Sequence, residues 1–134
     1  MVHRRIMRPL VAGALLLSGA TAATAQRHQA PSALGGLERG QWQLRDGEGG
    51  VRRLCVTNPA VLLQLMHGNA QCEHFVMENT VRSATIRYTC PGRGHGRTRV
   101  SVDTPRVVNV ETQGVIDGAP FSEQFEGRRI GACG

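Results

Sequence analysis

Four cysteines, Cys55, Cys72, Cys90 and Cys133, are the residues of this 134-residue chain best equipped for covalent chemistry. Thiols can join as disulfides or hold zinc, and their spacing separates the two uses. Intervals of 17, 18 and 43 contain no C-x-x-C pair of the kind structural zinc sites favour. An even number in an oxidising compartment reads as two disulfides. His67 and His74 lie on either side of Cys72 and bring a metal to mind. They come without a carboxylate or third ligand, so no metal and no cofactor is assigned. His67 can instead answer the dipole at the end of the short helix read below. The stretch Gly92-Arg93-Gly94-His95-Gly96-Arg97-Thr98 is glycine-rich, but it lacks the G-x-x-x-x-G-K-[ST] spacing and the lysine of a phosphate loop. Arg97 also breaks G-x-G-x-x-G. Ser83, Ser101 and Ser122 sit in alternating patterns without a G-x-S-x-G elbow. No catalytic residue is therefore assigned.

The compartment is set at the start of the chain. Met1 to Arg8 carries Arg4, Arg5 and Arg8, and Leu10 to Leu17 is an apolar run of eight. That run is far short of the roughly 20 residues a membrane span requires. Small residues follow, ending Ala23-Thr24-Ala25 before Gln26. The pattern is a secretory signal over residues 1–25, cleaved between Ala25 and Gln26. No cysteine lies near the junction, which speaks against a lipid anchor, and no later apolar segment is long enough to span a membrane. Removing 25 of 134 residues leaves 109, enough for one domain, and the loss of three arginines takes the net charge from +6 to +3. Every basic residue is arginine, and those remaining look scattered along the chain, so nucleic-acid binding loses its main support. Large apolar residues number 28 of the 109, a thin core that covalent staples would reinforce.

After a flexible lead-in over 26–37, residues 38–134 read as a single β-rich domain. Gln41 to Arg45 alternates as a half-buried strand, Asp46 to Gly50 turns, and Val51 to Val56 returns. Thr57 or Asn58 caps a helix over 59–67, with Pro59 in its first turn and Gly68 as its stop. Pro91 to Gly96 reads as a loop, Arg97 to Asp103 as a strand, and Asp117-Gly118 as a two-residue hairpin turn. That turn pairs Val110 with Phe125 and Gly114 with Phe121 on one face. Cys72 and Cys90 are equidistant from Val81. A hairpin with a short odd-numbered loop centred there sets them opposite each other, pairs Val76 with Ile86 and His74 with Tyr88, and leaves Cys55 for Cys133. The pairing Cys55–Cys72 with Cys90–Cys133 stays open at this point. The fold class is mainly β: an antiparallel sheet of about seven strands, open or partly closed as a barrel, with one short helix and two disulfides.

These residues resemble the domain-of-unknown-function 3617 family of small exported proteins of Gram-negative bacteria. The likeness rests on Gly40-Gln41-Trp42, on Leu54-Cys55-Val56-Thr57 before a Pro-containing helix, and on the Cys72 and Cys90 hairpin. The terminal Gly127-Arg128-Arg129-Ile130-Gly131-Ala132-Cys133 completes it. The hairpin from Arg45 to Arg53 is shorter than the family's. The resemblance implies an envelope location and a β-rich fold, without an activity to carry over. The functional expectation is a periplasmic, non-catalytic β protein binding a small apolar ligand or another envelope component. The rival is a hydrolase-like envelope enzyme whose residues meet only in three dimensions.

Overall fold

The computed structural model describes residues 30–134; the expected signal sequence over 1–25 and its expected Ala25–Gln26 junction lie outside them. Seven strands form one antiparallel sheet: β1 Gly40–Asp46, β2 Val51–Val56, β3 Glu73–Asn79, β4 Ser83–Cys90, β5 Gly94–Thr104, β6 Val107–Ile116 and β7 Ala119–Gly131. Their order is β2-β1-β7-β6-β5-β4-β3, so the sheet is open, with β2 and β3 as its edges. From β3 to β7 every neighbour follows its predecessor through a tight turn. The one long-range step pairs the first strand with the last.

Local chemistry explains the turns. Asp117 and Gly118 sit at φ 50° and 83°, the left-handed pair a type I′ hairpin demands. The β6–β7 register follows from it, and Val110 faces Phe125 and Gly114 faces Phe121 as the sequence predicts. In the β3–β4 hairpin His74 faces Tyr88 and Val76 faces Ile86, also as expected. The loop is not odd-numbered, however. A β-bulge between Val76 and Glu78 absorbs Met77, and the chain then reverses tightly through Val81-Arg82, with Thr80 N–H bonded to the Ser83 carbonyl at 2.8 Å. The extra residue preserves the cysteine register. Both disulfides form as that register implies: Cys72–Cys90, with Cα atoms 4.1 Å apart, and Cys55–Cys133, at 5.6 Å.

Period-two alternation gives the sheet two unlike faces. The inner face carries Trp42, Leu44, Val56, Ile86, Tyr88, Val100, Val108, Val110 and Phe125, all buried. Each large apolar side chain withdrawn from water contributes about 1.5–3 kcal/mol. Two 3-10 turns, Ser32–Gly36 and Pro59–Gln64, close over this face and bury Leu34, Leu62, Leu63 and Leu65 against it. Both differ from the sequence reading. The stretch read as a flexible lead-in docks through Ala33, Leu34 and Leu37. The expected helix over 59–67 is capped by Asn58, whose Oδ1 accepts from Ala60 N–H at 3.0 Å, but it winds as a 3-10 turn. Three residues per turn set Leu62 and Leu65 one above the other toward the sheet. Gly68, at φ 54°, ends the run.

Candidate functional site

His67 and His74, close in sequence, both lie against Tyr88, with ring centroids 5.1 Å (His67) and 6.2 Å (His74) away. Tyr88 is on β4 and His67 follows the second 3-10 turn, so the covering segment delivers the ring onto the sheet. His67 is only 4 % exposed. Its Nε2 lies 3.3 Å from the Arg93 carbonyl, which can only accept. In the tautomer that carries its hydrogen on Nε2, Nδ1 is the acceptor of a hydrogen bond donated by the Tyr88 hydroxyl at 2.9 Å. Thr112 donates to the Tyr88 oxygen, and Thr98 Oγ1 lies 2.9 Å from Thr112 Oγ1, completing a directional chain. Burial pushes the Tyr88 phenol above its ordinary 10.0, and the Thr112 hydrogen bond opposes this. His67 thus binds inside the core and does not simply answer a helix dipole.

Glycine makes room for the chain. Gly96 lies in β5, opposite Tyr88, where a Cβ would strike the Tyr88 ring. The segment read as a loop over 91–96 is accordingly a turn over Pro91–Arg93 that leads directly into β5 at Gly94. This network is fully satisfied, with no buried side-chain polar atom lacking a partner among the described residues. It is a structural core.

Other sequence candidates disperse. Cys72 is held in its disulfide, and among the described residues no three metal-ligating groups converge. His74 Nε2 lies 2.7 Å from Gln64 Oε1. Ser83 donates to Glu78 Oε1 at 3.0 Å, and Ser101 stands opposite it across β4–β5. Ser122 and His95 line one groove without a hydrogen bond between them. None of these serines joins a histidine base.

That groove lies on the outer face, where the sequence reading saw only scattered arginines. It encloses about 450 Å³ and is lined by Arg87, His95, Arg97, Gln113, Val115 and Ser122, among others. Register brings these residues together. Arg87 of β4 faces Arg97 of β5, Arg97 faces Gln113 of β6, and Gln113 faces Ser122 of β7. The Arg87–Arg97 alignment follows from the Pro91–Arg93 turn, which pairs Cys90 with Gly94 and therefore Arg87 with Arg97. Sequence reasoning missed it because Gly94, His95 and Gly96 were read as loop. Phe75 continues the row at the β3 edge and is 66 % exposed.

A second groove of about 380 Å³ runs between the two edges, lined by Leu54 of β2, His74 of β3 and Ala60, Val61, Gln64 and Ala70 of the covering segment.

No family model, no curated protein and no solved structure matches the chain. The residues that carry the family resemblance do structural work here. Trp42 is wholly buried, its indole N–H donates to the Glu38 carbonyl at 2.9 Å, and all four cysteines are bridged. Two disulfides and, among the described residues, no helix long and apolar enough to cross a membrane accompany this fold.

Proposed function

We propose that the chain is an exported, non-catalytic binding protein of the Gram-negative envelope, and that it engages another envelope component through the outer face of its sheet. The observation that carries this reading is the division between the faces. Leu62, Leu63 and Leu65 fill the space under the covering segment, and the polar groups there satisfy one another. The outer face instead holds an open groove whose arginines, Arg87 and Arg97, form no ion pair among the described residues. The signal sequence, the oxidised cysteines and the family resemblance support the envelope location.

The test is to express the full chain, determine the compartment and mature N-terminus, and co-sediment the purified protein with isolated envelope fragments. A mature chain beginning at Gln26 that sediments with the fragments supports the proposal. Retention in the cytoplasm with residues 1–25 attached, or no association with any envelope fraction, overturns it. A small apolar ligand has its best footing in the groove between Leu54 and Ala70. A lipid retained by the purified protein in native mass spectrometry would favour that second reading.

A further inference from the structure

We infer that the Arg87–Arg97 pair is an oxyanion site, built for a phosphate-type group, with Gln113 and Ser122 as neutral donors beside it. This inference rests on the outer-face reading above and names the chemistry of that face. Arg87 and Arg97 are direct cross-strand neighbours, one strand in from the β3 edge. Like charges in that relation repel and destabilise the pairing.

The face contains carboxylates that could relieve the repulsion, but they lie at the next row. Glu78 reaches Arg99 at 3.9 Å, and Glu111 stands opposite Arg99 in the β5–β6 register. Among the described residues neither Arg87 nor Arg97 has a carboxylate within 4.0 Å. Two adjacent guanidinium groups without an ion pair offer an anion what a single arginine cannot. Each presents a planar fork that can grip two oxygens of a tetrahedral oxyanion, and together they favour a phosphate-type charge of about −1 to −2. The Gln113 amide and the Ser122 hydroxyl extend the donor row across β6 and β7. The backbones of β4 to β7 form one ladder, so the positions from which these side chains project are fixed relative to one another. Phe75 at its end provides an apolar shoulder beside the charge.

Free phosphate and the phosphorylated headgroup of a lipid share this chemistry, and two arms of one experiment separate them. In the first, inorganic phosphate is titrated into the disulfide-bonded protein at constant ionic strength, with chloride as reference, while arginine Nε–H signals are followed by NMR. In the second, the protein is sedimented with phosphatidylglycerol or phosphatidylcholine vesicles. The expected result is a saturable shift of Arg87 and Arg97 with phosphate, or binding confined to phosphatidylglycerol. Either should weaken about tenfold in Arg87→Gln and in Arg97→Gln. Arg53→Gln removes the same charge from the same face, away from the row, and is expected to change binding less than about twofold. Saturation by free phosphate identifies a soluble ligand, and vesicle binding alone identifies a headgroup. No response in either arm, or equal weakening by Arg53→Gln, overturns the oxyanion site. If neither arm responds while the parent sediments with envelope fragments, the oxyanion site falls and the envelope-binding reading stands. If the parent itself fails to sediment, that reading falls, whatever phosphate does.

Discussion

The two faces of this sheet are made by the same strands and differ in how their polar groups are answered. Adjacent residues show it directly. Tyr88 points inward and finds both a donor and an acceptor in His67 and Thr112, whereas Arg87, one residue earlier, points outward beside another arginine. Thr98 and Arg97 repeat the contrast on β5. The inner face is organised for stability. At the Arg87–Arg97 pair of the outer face charge is left without an ion pair, which is the condition under which a surface can still bind something.

The disulfides set the largest test of this contrast, because they lie on opposite faces. Cys55 is exposed, whereas Cys90 is buried in the core. If constraint on the unfolded chain dominates, sequence separation decides, and the two bridges close separations of 78 and 18 residues. On chain-entropy grounds, replacing Cys55 and Cys133 by Ala lowers stability by about 4.5 kcal/mol, and replacing Cys72 and Cys90 by about 3 kcal/mol. Denaturant unfolding of both double variants checks the ranking. A reversed order would show that packing around Cys90 outweighs loop length.

Next in size is Tyr88→Phe. Removing the hydroxyl leaves Nδ1 of buried His67 without a donor and Thr112 without its acceptor, at about 1–3 kcal/mol. A variant as stable as the parent would show that the chain of hydrogen bonds is dispensable. The same residue sets a pH effect. Its folded-state value is raised above the unfolded 10.0, so its contribution is complete below about pH 10. As pH climbs from there toward the folded value, the unfolded chain ionises first and stability falls. Denaturant midpoints at pH 9 and pH 11 should therefore drop further in the parent than in Tyr88→Phe. An equal drop in both would assign the alkaline loss to other groups.

Much of this architecture was legible from local patterns. Alternation identified the faces, Asp117-Gly118 set one register, and the position of Val81 between two cysteines set another closely enough to pair them. What was hidden depended on surfaces the chain makes only when folded. Residues 59–66 are apolar on nearly every side, so no period distinguished a 3-10 turn from an α-helix. Ala33 and Leu34 bury only because a sheet lies beneath them, and nothing around them in the sequence announces it. The arginine row was obscured by Gly94 and Gly96. Glycines in a strand mark close approach, here of the Tyr88 ring to Gly96, and the same residues in sequence look like a loop.

The smallest expected effect is the one that bears most directly on the outer face. If Arg87 and Arg97 repel without compensation, Arg87→Gln removes a penalty, and the variant gains a few tenths of a kcal/mol at low salt. Raising sodium chloride to about 1 M shrinks the Debye length to about 3 Å and should erase that gain. Sodium phosphate at matched ionic strength should do more for the parent than chloride does, because a ligand bound only to the folded state stabilises it in proportion to occupancy. The opposite sign, a loss above about 0.5 kcal/mol on Arg87→Gln, would mean that the arginine stem packs on Phe75 and serves the fold. The row would then be a solvated surface like any other. A gain that chloride erases and phosphate reverses is the pattern of a charge pair retained for a ligand at the expense of stability.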